Sequence, residues 1–249
     1  MLAIDVGNTH IKSAVFDGPV IRDVFILSTN QCQQEGSFLE LMPVLQATMP
    51  DAVVIASVRT PITRILQAEF NAKHSVEPLM VDIHTDMGIQ NRYQSAATLG
   101  IDRLVNAAAA YHLYLKPGRP LIVIDMGTAT TIDYVNAQGA FMGGAIAPGL
   151  ISAYTGLRSL APALPEIVIE RTLRPIGRTT PECMASGIVI GHAAMIREMA
   201  RLMDIDADPG VIVTGGLSAV LEEWFPKDYI IDRDLTLKGL RIIYERAQQ

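Results

Sequence analysis

Residues 2–12 read Leu2-Ala-Ile-Asp5-Val-Gly7-Asn8-Thr9-His-Ile-Lys12, and the expected fold follows from this stretch. An apolar run ends in an acid, a glycine and two small polar residues, after which apolar residues resume, and this order predicts a β-hairpin. Gly7 lets the backbone come close to a ligand. Asn8, Thr9 and Lys12 carry hydrogen-bond donors suited to phosphate oxygens. The turn is therefore suited to a phosphate, and Asp5 is suited to hold the accompanying metal ion through water.

A second copy of the pattern occurs at residues 122–134, which read Ile122-Val-Ile-Asp125-Met-Gly127-Thr128-Ala-Thr-Thr-Ile-Asp-Tyr134. Two copies of one phosphate hairpin predict two similar halves that face each other across a cleft. The polar, proline-containing break Lys116-Pro-Gly-Arg-Pro120 is the best candidate boundary. We therefore predict an N-terminal half of residues 1–117 and a C-terminal half of residues 118–249.

Composition excludes several classes of protein. Of the 249 residues, 49% are hydrophobic and 18% are charged, which predicts a folded globular chain. The net charge of −6 argues against nucleic acid as a partner, because nucleic-acid binders normally present a basic face. Cys32 and Cys183 lie in no metal-binding spacing, which fits a reducing compartment. No signal peptide or membrane-length apolar run is apparent. These features predict a cytoplasmic protein without a membrane partner.

The order of predicted elements defines the fold class. After the first hairpin, apolar patterns predict a strand at 20–27, a helix at 37–49 with a Ser37/Glu40 capping box, a strand at 52–57, a helix at 61–70 and a strand at 77–81. This β1β2β3αβαβ order resembles the actin, sugar-kinase and Hsp70 ATPase superfamily. The resemblance implies an α/β fold with two related ribonuclease H-like (actin-like ATPase) domains, each with a mixed central sheet.

Between the two hairpins, an aspartate and an arginine lie side by side in Gly100-Ile101-Asp102-Arg103, where a glycine loop becomes a helix. Asp102 is suited to accept a proton from a substrate hydroxyl, and Arg103 is suited to hold an anionic group of the same substrate. The alternative is a structural role in which Asp102 caps the helix and Arg103 pairs with a surface acid. The segment alone does not decide between these interpretations.

The C-terminal half carries further glycine motifs. Residues 139–149 are glycine-rich and lead into a predicted helix at 150–160, and a longer helix at 179–203 contains Gly187 and Gly191, which allow another backbone to approach closely. The strand ending in Thr214-Gly-Gly216 is suited to a nucleotide base or α-phosphate, or is an ordinary strand-to-helix turn. A strand at 228–232 and an amphipathic helix at 235–247 close the chain.

Taken in order, these motifs closely resemble the bacterial type III pantothenate kinases, from residue 2 to the final helix. The resemblance rests on the following set: Asp5-x-Gly-Asn-Thr-x-x-Lys12, Gly100-x-Asp-Arg103, Asp125-x-Gly-Thr-Ala129, Gly143-Gly-x-Ile-x-Pro-Gly149 and Thr214-Gly-Gly216. Members often have proline three residues after the substrate-binding tyrosine, whereas this chain has Ala96. That departure concerns the path of the Tyr93 loop, not the chemistry.

The resemblance implies roles for individual residues. It assigns ATP binding to Asp5, Val6, Gly7, Asn8, Thr9, His10, Ile11, Lys12 and Thr128. It assigns pantothenate binding to Tyr93, Gly100, Ile101, Asp102, Arg103 and Thr180. It makes Asp102 the proton acceptor and Asp125 the ligand of a monovalent cation, K⁺ or NH₄⁺, and it implies Mg²⁺ bound with ATP. Thr180 would reach the substrate of a second subunit, which implies a homodimer.

The implied reaction is the ATP-dependent phosphorylation of pantothenate to 4′-phosphopantothenate, the first step of coenzyme A synthesis. Three alternatives compete with it. Another kinase of the same superfamily would lack the paired base and anion clamp of Asp102 and Arg103. A non-catalytic regulator, as some relatives have been described, would have no reason to keep Asp5, Asp102 and Asp125. An actin-like or chaperone ATPase would need a larger partner-binding domain than this chain length allows.

Overall fold

The chain forms two compact units in the computed structural model, which describes residues 1–42, 50–74, 76–171, 174–203 and 208–249. The first unit contains residues 1–89, 93–112 and 235–249, and the second contains residues 90–92 and 113–234. The two halves expected from the sequence stay a prediction. The contact-defined units differ from them in three segments: residues 235–249 pack in the first unit, and residues 90–92 and 113–117 join the second.

Eleven strands occur among the described residues, in two mixed sheets. They are β1 (Leu2–Val6), β2 (His10–Asp17), β3 (Val20–Ser28), β4 (Val53–Ser57), β5 (Leu79–Val81), β6 (Gln90–Asn91), β7 (Leu121–Met126), β8 (Ala129–Val135), β9 (Ala140–Pro148), β10 (Gly210–Thr214) and β11 (Ile230–Ile231). The first sheet has the order β3-β2-β1-β4-β5, and the second has the order β11-β10-β7-β8-β9-β6.

The two sheets repeat one plan, as the paired hairpins predicted. In each, three consecutive antiparallel strands are extended by parallel strands beside the first: β1 pairs with β4, and β7 pairs with β10. The strands β1, β4 and β7 are nearly continuous apolar runs because both faces of each are covered. The second sheet adds the short strand β6 in parallel beside β9, which the sequence analysis did not anticipate.

Eight α-helices lie in the described ranges. They are α1 (Thr29–Glu35), α2 (Thr60–His74), α3 (Ile101–Tyr114), α4 (Leu150–Leu160), α5 (Thr180–Ala185), α6 (Gly191–Leu202), α7 (Ser218–Leu221) and α8 (Leu235–Ala247). The single helix expected at 179–203 is interrupted by a π-helical turn at Ser186–Ile190 between α5 and α6. None of these helices is both long and apolar enough to cross a membrane.

The helix predicted at 37–49 falls partly on residues 43–49, which lie outside the described residues. The described part, residues 37–42, is not helical. One of the two hydrogen bonds of the predicted capping box is nevertheless present, since the Ser37 hydroxyl accepts a hydrogen bond from the Glu40 N–H at 3.1 Å. The Glu69 carboxylate also accepts a bond from the Phe38 N–H at 2.8 Å, so this segment is held to α2 by a side chain as well as by local turns.

Helix α8 packs between the first sheet and α3. Its apolar residues Leu235, Leu237, Leu240 and Ile243 are fully buried, and the helix contacts β1, β2 and β4. A side chain at Gly239 would lie 2.9 Å from the Ala109 Cβ and from the Val105 carbonyl oxygen. The small residues on α3 and at Gly239 therefore let the two helices approach closely, which explains why the end of the chain belongs to the first unit.

Candidate active site

The first hairpin turn presents polar groups at the end of β1. Asp5 lies directly opposite Lys12 in the antiparallel register, and Asn8, Thr9 and His10 are exposed. The Gly7 N–H donates to the His10 carbonyl at 2.9 Å, which closes the turn. A Cβ at Gly7 would lie 3.0 Å from that carbonyl oxygen, so the turn leaves little room for a side chain at this position.

Two of the predicted ATP-binding residues point away from the turn. Val6 and Ile11 are 0% and 1% exposed and belong to the hydrophobic core of the first unit. Their side chains are therefore unavailable to a ligand, and only their backbone groups remain for that role. Within the hairpin, contacts to a phosphate would come from the exposed turn and from Lys12, which is half-buried.

Helix α1, which the sequence analysis missed, holds the turn from behind. Thr29 is fully buried, and its hydroxyl donates to the Gly7 carbonyl at 3.0 Å. Its N–H donates to the Thr9 carbonyl, also at 3.0 Å. The signal for this helix was present in the sequence, since Ser28, at the end of β3, is a residue type that commonly caps helices. In the structure its hydroxyl accepts from the Gln31 N–H at 3.3 Å, as an N-cap does.

The second hairpin has a similar carboxylate with different neighbours. Asp125 lies opposite Thr131 on β8 and beside Thr214 on β10 in the sheet register. At the corresponding position of the first hairpin, the residue opposite Asp5 is Lys12. The turn closes with a bond from the Gly127 N–H to the Ala129 carbonyl at 3.0 Å, one residue shorter than in the first hairpin. Asp125 therefore has two neutral hydroxyl residues flanking it in the sheet, where Asp5 has a lysine.

The loop residue Thr128 is held by the start of α4. Its carbonyl accepts hydrogen bonds from the Gly149 N–H at 3.1 Å and from the Ser152 hydroxyl at 2.6 Å. A Cβ at Gly149 would overlap the carbonyl oxygen of Gly127 and come within 2.5 Å of that of Thr128. The glycine-rich segment predicted before α4 is thus needed because it passes directly against the second hairpin loop.

The Gly-x-Asp-Arg segment and Tyr93 come together in the first unit. Arg103 is only 6% exposed, and the centre of its guanidinium lies 5.5 Å from the centroid of the Tyr93 ring. This geometry is a cation–π contact. Of the remaining predicted substrate residues in this segment, Ile101 is buried and Gly100 is half-buried. The alternative interpretation was that Arg103 lies at the surface and pairs with an acid there. The burial of Arg103 argues against that alternative.

Asp102 lies in the first turn of α3 and is half-buried. Its Oδ1 accepts a hydrogen bond from the Arg103 N–H at 2.9 Å. Burial raises the pKa of the Asp102 carboxyl above its usual range, and the N–H and positive charge of Arg103 only partly oppose this shift. A carboxylate with a raised pKa is a stronger proton acceptor than an exposed one, as a general base requires.

One turn further along α3, a buried polar contact fixes the helix. Asn106 is 2% exposed, and its Oδ1 accepts a hydrogen bond from the Thr236 hydroxyl of α8 at 2.7 Å. The bond joins the helix that carries Asp102 to the last helix of the chain. Such pairing satisfies a buried amide that would otherwise destabilise the core.

The remaining predicted site residues lie in the second unit. Thr180 is the exposed first residue of α5, and the hydroxyl of Thr179 caps this helix by accepting from the Glu182 N–H. Thr128 and Asp125 lie at the second hairpin, as described above. Ala96, where relatives often have proline, begins a short 3₁₀ turn at Ala96–Thr98 in the first unit.

Comparison with known proteins gives the family. The family model for type III pantothenate kinases matches residues 1–202. The chain belongs to the type III pantothenate kinase family. A type III pantothenate kinase from Geobacter sulfurreducens is 35% identical over 258 residues, which cover 100% of each chain. The kinase therefore uses ATP to phosphorylate pantothenate, a reaction of coenzyme A biosynthesis.

Solved structures show the same fold at lower identity. A conserved protein from Campylobacter jejuni, described as of the Baf family of transcriptional activators, is 22% identical with a TM-score of 0.64, and 100% of each chain is covered. An inorganic polyphosphate/ATP-glucomannokinase from Arthrobacter sp. strain KM is 14% identical with a TM-score of 0.52, covering 100% of the kinase and 98% of that chain. The predicted fold class, an α/β actin-like ATPase fold with mixed sheets, is confirmed.

Proposed function

We propose that Asp102 is the general base for the phosphorylation of pantothenate to 4′-phosphopantothenate. The observation that carries this proposal is the position of a half-buried carboxyl in the first turn of α3, bonded to the N–H of a buried arginine that contacts the Tyr93 ring. Burial there raises the pKa of the carboxyl, which fits the role. In this role Asp102 accepts the proton of the primary hydroxyl of pantothenate. The hydroxyl oxygen attacks the γ-phosphorus of ATP, and the bond from that phosphorus to the ADP oxygen breaks.

Arg103 and Tyr93 orient the substrate in this proposal. Arg103 is fixed by its contact with the Tyr93 ring, so its donors are ordered before the substrate binds. It holds the carboxylate or the amide end of pantothenate, and Gly100 and Ile101 shape the backbone beside it. Positioning of this kind lowers the barrier because phosphoryl transfer depends on alignment and charge neutralisation more than on covalent help.

Each hairpin loop carries groups suited to bind ATP. The turn of Gly7 to His10 and the side chain of Lys12 bind phosphate oxygens, and Thr128 provides a further contact from the second hairpin. Backbone N–H groups in a tight turn favour anions, and Lys12 adds a positive charge. Asp5 lies at the end of β1 opposite that lysine, where it is suited to hold Mg²⁺ through water.

The residues present fit the implied ions. Among the described residues, no group of three or more acidic, histidine or cysteine side chains forms a metal site of its own. Mg²⁺ in kinases needs only one or two carboxylates because phosphate and water supply the other ligands, and Asp5 fits that role. Asp125, flanked in the sheet by Thr131 and Thr214, offers the oxygen ligands that a monovalent cation accepts. Bound there, such ions neutralise phosphate charge.

Replacing K⁺ with Na⁺ is expected to lower turnover strongly, because the smaller ion does not match a site built from Asp125 and neighbouring oxygens. The measurement is ADP release with ATP, Mg²⁺ and pantothenate at constant ionic strength, with K⁺, NH₄⁺ or Na⁺ as the only monovalent cation. K⁺ and NH₄⁺ are expected to support similar rates. Equal activity in all three salts would remove Asp125 from the role of cation ligand.

We further propose that the kinase is a homodimer in which Thr180 reaches the pantothenate site of the partner subunit. Gly187 and Gly191 are exposed on the helical segment that follows α5. An added Cβ at either glycine would meet no described atom within 4 Å. These glycines leave space on the helix for a second copy to approach, as the sequence analysis expected.

The substitution Gly187→Leu is expected to produce a folded monomer, because its side chain meets free space in one chain and blocks the approach of another. Sedimentation velocity measures the association state, and circular dichroism checks the fold. Turnover with pantothenate is expected to fall together with dimerisation, since Thr180 no longer reaches the partner site. An unsubstituted protein that sediments as an active monomer would contradict the dimer.

The experiment that tests the whole proposal is an ADP-release assay with ATP, Mg²⁺ and K⁺, with and without pantothenate, followed by mass analysis of the product. We expect pantothenate-dependent release of ADP and a phosphorylated product, in a protein that resides in the cytoplasm. No turnover in a folded dimer that still binds ATP would favour another hydroxyl substrate or a regulatory role. The Campylobacter neighbour shares the fold alone and does not support that regulatory role.

A further inference from the structure

We propose that Thr29 and Ser152 are positioning residues, each of which aims backbone N–H groups of its own hairpin loop at a bound phosphate group. This inference rests on the proposed role of each hairpin loop in binding the phosphates of ATP. Neither residue belongs to the motifs of the sequence analysis, and each donates a hydroxyl hydrogen bond to a loop carbonyl from the first turn of a helix.

The first loop departs from an ordinary two-residue hairpin. In such a hairpin the residues that close the turn exchange both of their N–H to carbonyl bonds. Here the Gly7 N–H does donate to the His10 carbonyl. The Gly7 carbonyl, however, accepts from the Thr29 hydroxyl. Thr29 thus redirects one peptide group of the turn toward α1.

The bond from Thr29 to the Gly7 carbonyl also fixes the direction of a backbone N–H group in the turn. The described peptide bonds are all trans, so the carbonyl of one residue and the N–H of the next point in opposite directions. Thr29 holds the carbonyls of Gly7 and Thr9, one with its hydroxyl and one with its N–H. The N–H groups of Asn8 and His10 consequently face away from α1. These two N–H groups are therefore directed to the side on which an anion would bind the turn.

The second hairpin repeats the arrangement, which is independent support for it. The N–H of Gly149 donates to the Thr128 carbonyl, just as the N–H of Thr29 donates to the Thr9 carbonyl at the same place in the strand pairing. The Ser152 hydroxyl adds a second bond to that carbonyl at 2.6 Å. The N–H of Ala129 is therefore directed away from α4. Each repeat thus uses a helix-borne hydroxyl to hold its loop.

Thr29→Val tests the first of these bonds, because valine keeps the shape and removes the hydroxyl. We expect about a tenfold weaker affinity for Mg²⁺-ATP, measured by calorimetry without pantothenate, and a similar rise in KM for ATP. KM for pantothenate is expected to stay within about twofold. Thr29→Ser keeps the hydroxyl and is expected to retain ATP affinity. A purely structural role for Thr29 would not separate the two substrates in this way.

Thr63→Val is the matched control. The Thr63 hydroxyl, also near the start of a helix of the first unit, shares its hydrogen between the Ser57 hydroxyl at 2.8 Å and the Arg59 carbonyl at 3.1 Å. Its loss removes comparable hydrogen bonds from the segment beside Val6 and leaves the bonds to the Gly7 and Thr9 carbonyls intact. Equal ATP affinities of Thr29→Val and Thr63→Val would overturn the inference for Thr29.

If Thr29→Val does not fold, as judged by circular dichroism, Ser152→Ala decides, because the partly exposed Ser152 is not needed for the core. A severalfold loss of ATP affinity in Ser152→Ala supports the inference, and wild-type affinity overturns it. Failure of the unsubstituted protein to bind Mg²⁺-ATP would instead remove the proposed ATP site, and the inference with it. Binding by the unsubstituted protein with unchanged variants would overturn the positioning role alone.

Discussion

Replacing Asp102 with asparagine is expected to lower kcat for pantothenate phosphorylation by about 10²-fold or more, because loss of a general base typically costs 10² to 10⁴ in rate. The Arg103 N–H that bonds Asp102 Oδ1 at 2.9 Å finds an equivalent oxygen in asparagine. The substitution therefore removes the proton acceptor and leaves the local hydrogen bond. Affinity for Mg²⁺-ATP, measured by calorimetry, is expected to stay near that of the unsubstituted protein.

The raised pKa of Asp102 predicts how activity depends on pH and how Asp102 affects the stability of the fold. Activity is expected to fall as pH decreases through that raised pKa, so the acidic limb of the pH profile lies above the usual carboxyl range of about 4. The folded state binds this proton more strongly than the unfolded chain does. Ionisation of Asp102 thus destabilises the fold at neutral pH, and Asp102→Asn is expected to unfold at an equal or higher temperature.

Near wild-type turnover in a folded Asp102→Asn variant would show that another group accepts the proton. A loss of activity accompanied by a lower unfolding temperature would point to a structural role for Asp102 instead. Thermal unfolding followed by circular dichroism, measured beside kcat, separates these outcomes.

The substitution Gly100→Ala is expected to reduce kcat by about 10²-fold without unfolding the protein, since a displacement of roughly 1 Å in a catalytic group costs this much. A Cβ built at Gly100 overlaps Asp102 Oδ1, while Asp102 Cγ lies at 3.6 Å and Arg103 Cδ at 3.9 Å. The obstacle is the end of a side chain and not backbone. The alanine therefore fits only if the carboxylate rotates away and gives up its bond to the Arg103 N–H.

Gly156→Ala is the matched control for this substitution. Gly156 lies in α4, where an added Cβ meets no described atom within 4 Å. Alanine is favoured over glycine inside a helix by about 1 kcal/mol, so this variant is expected to be active and slightly more stable. If Gly100→Ala retains the kcat of Gly156→Ala, Asp102 does not need its observed position. A pH profile of Gly100→Ala that loses its raised acidic limb would confirm that the carboxylate has moved.

Many features of the fold were predicted from short local patterns in the sequence. Both hairpins, the Asp-x-Gly turns and the helix that begins after Gly100 were predicted because each depends on neighbours in the chain: an alternation of apolar residues, a glycine and a helix start. The hairpin pattern around Asp5 recurs around Asp125. This repeat also predicted that the two sheets share one plan, since segments of similar pattern adopt similar topology. The order of motifs was sufficient to indicate the kinase family.

Tertiary structure decided the points at which distant segments meet. The sequence did not indicate that Arg103 would be buried against Tyr93, or that Val6 and Ile11 would face the core while their neighbours face solvent. Helix α8 was assigned to the second half by its position in the chain. It packs in the first unit because Gly239 fits closely against Val105 and Ala109 of α3.

The sequence by itself therefore determined the repeated hairpins and the identity of the acids at each turn, because these depend on residues a few positions apart. Only the tertiary structure decided how those turns are held. Thr29 and Ser152 act through hydrogen bonds to Gly7 and Thr128, more than twenty positions away in the chain. The burial that raises the pKa of Asp102 likewise comes from packing around α3, and no local pattern encodes packing of that kind.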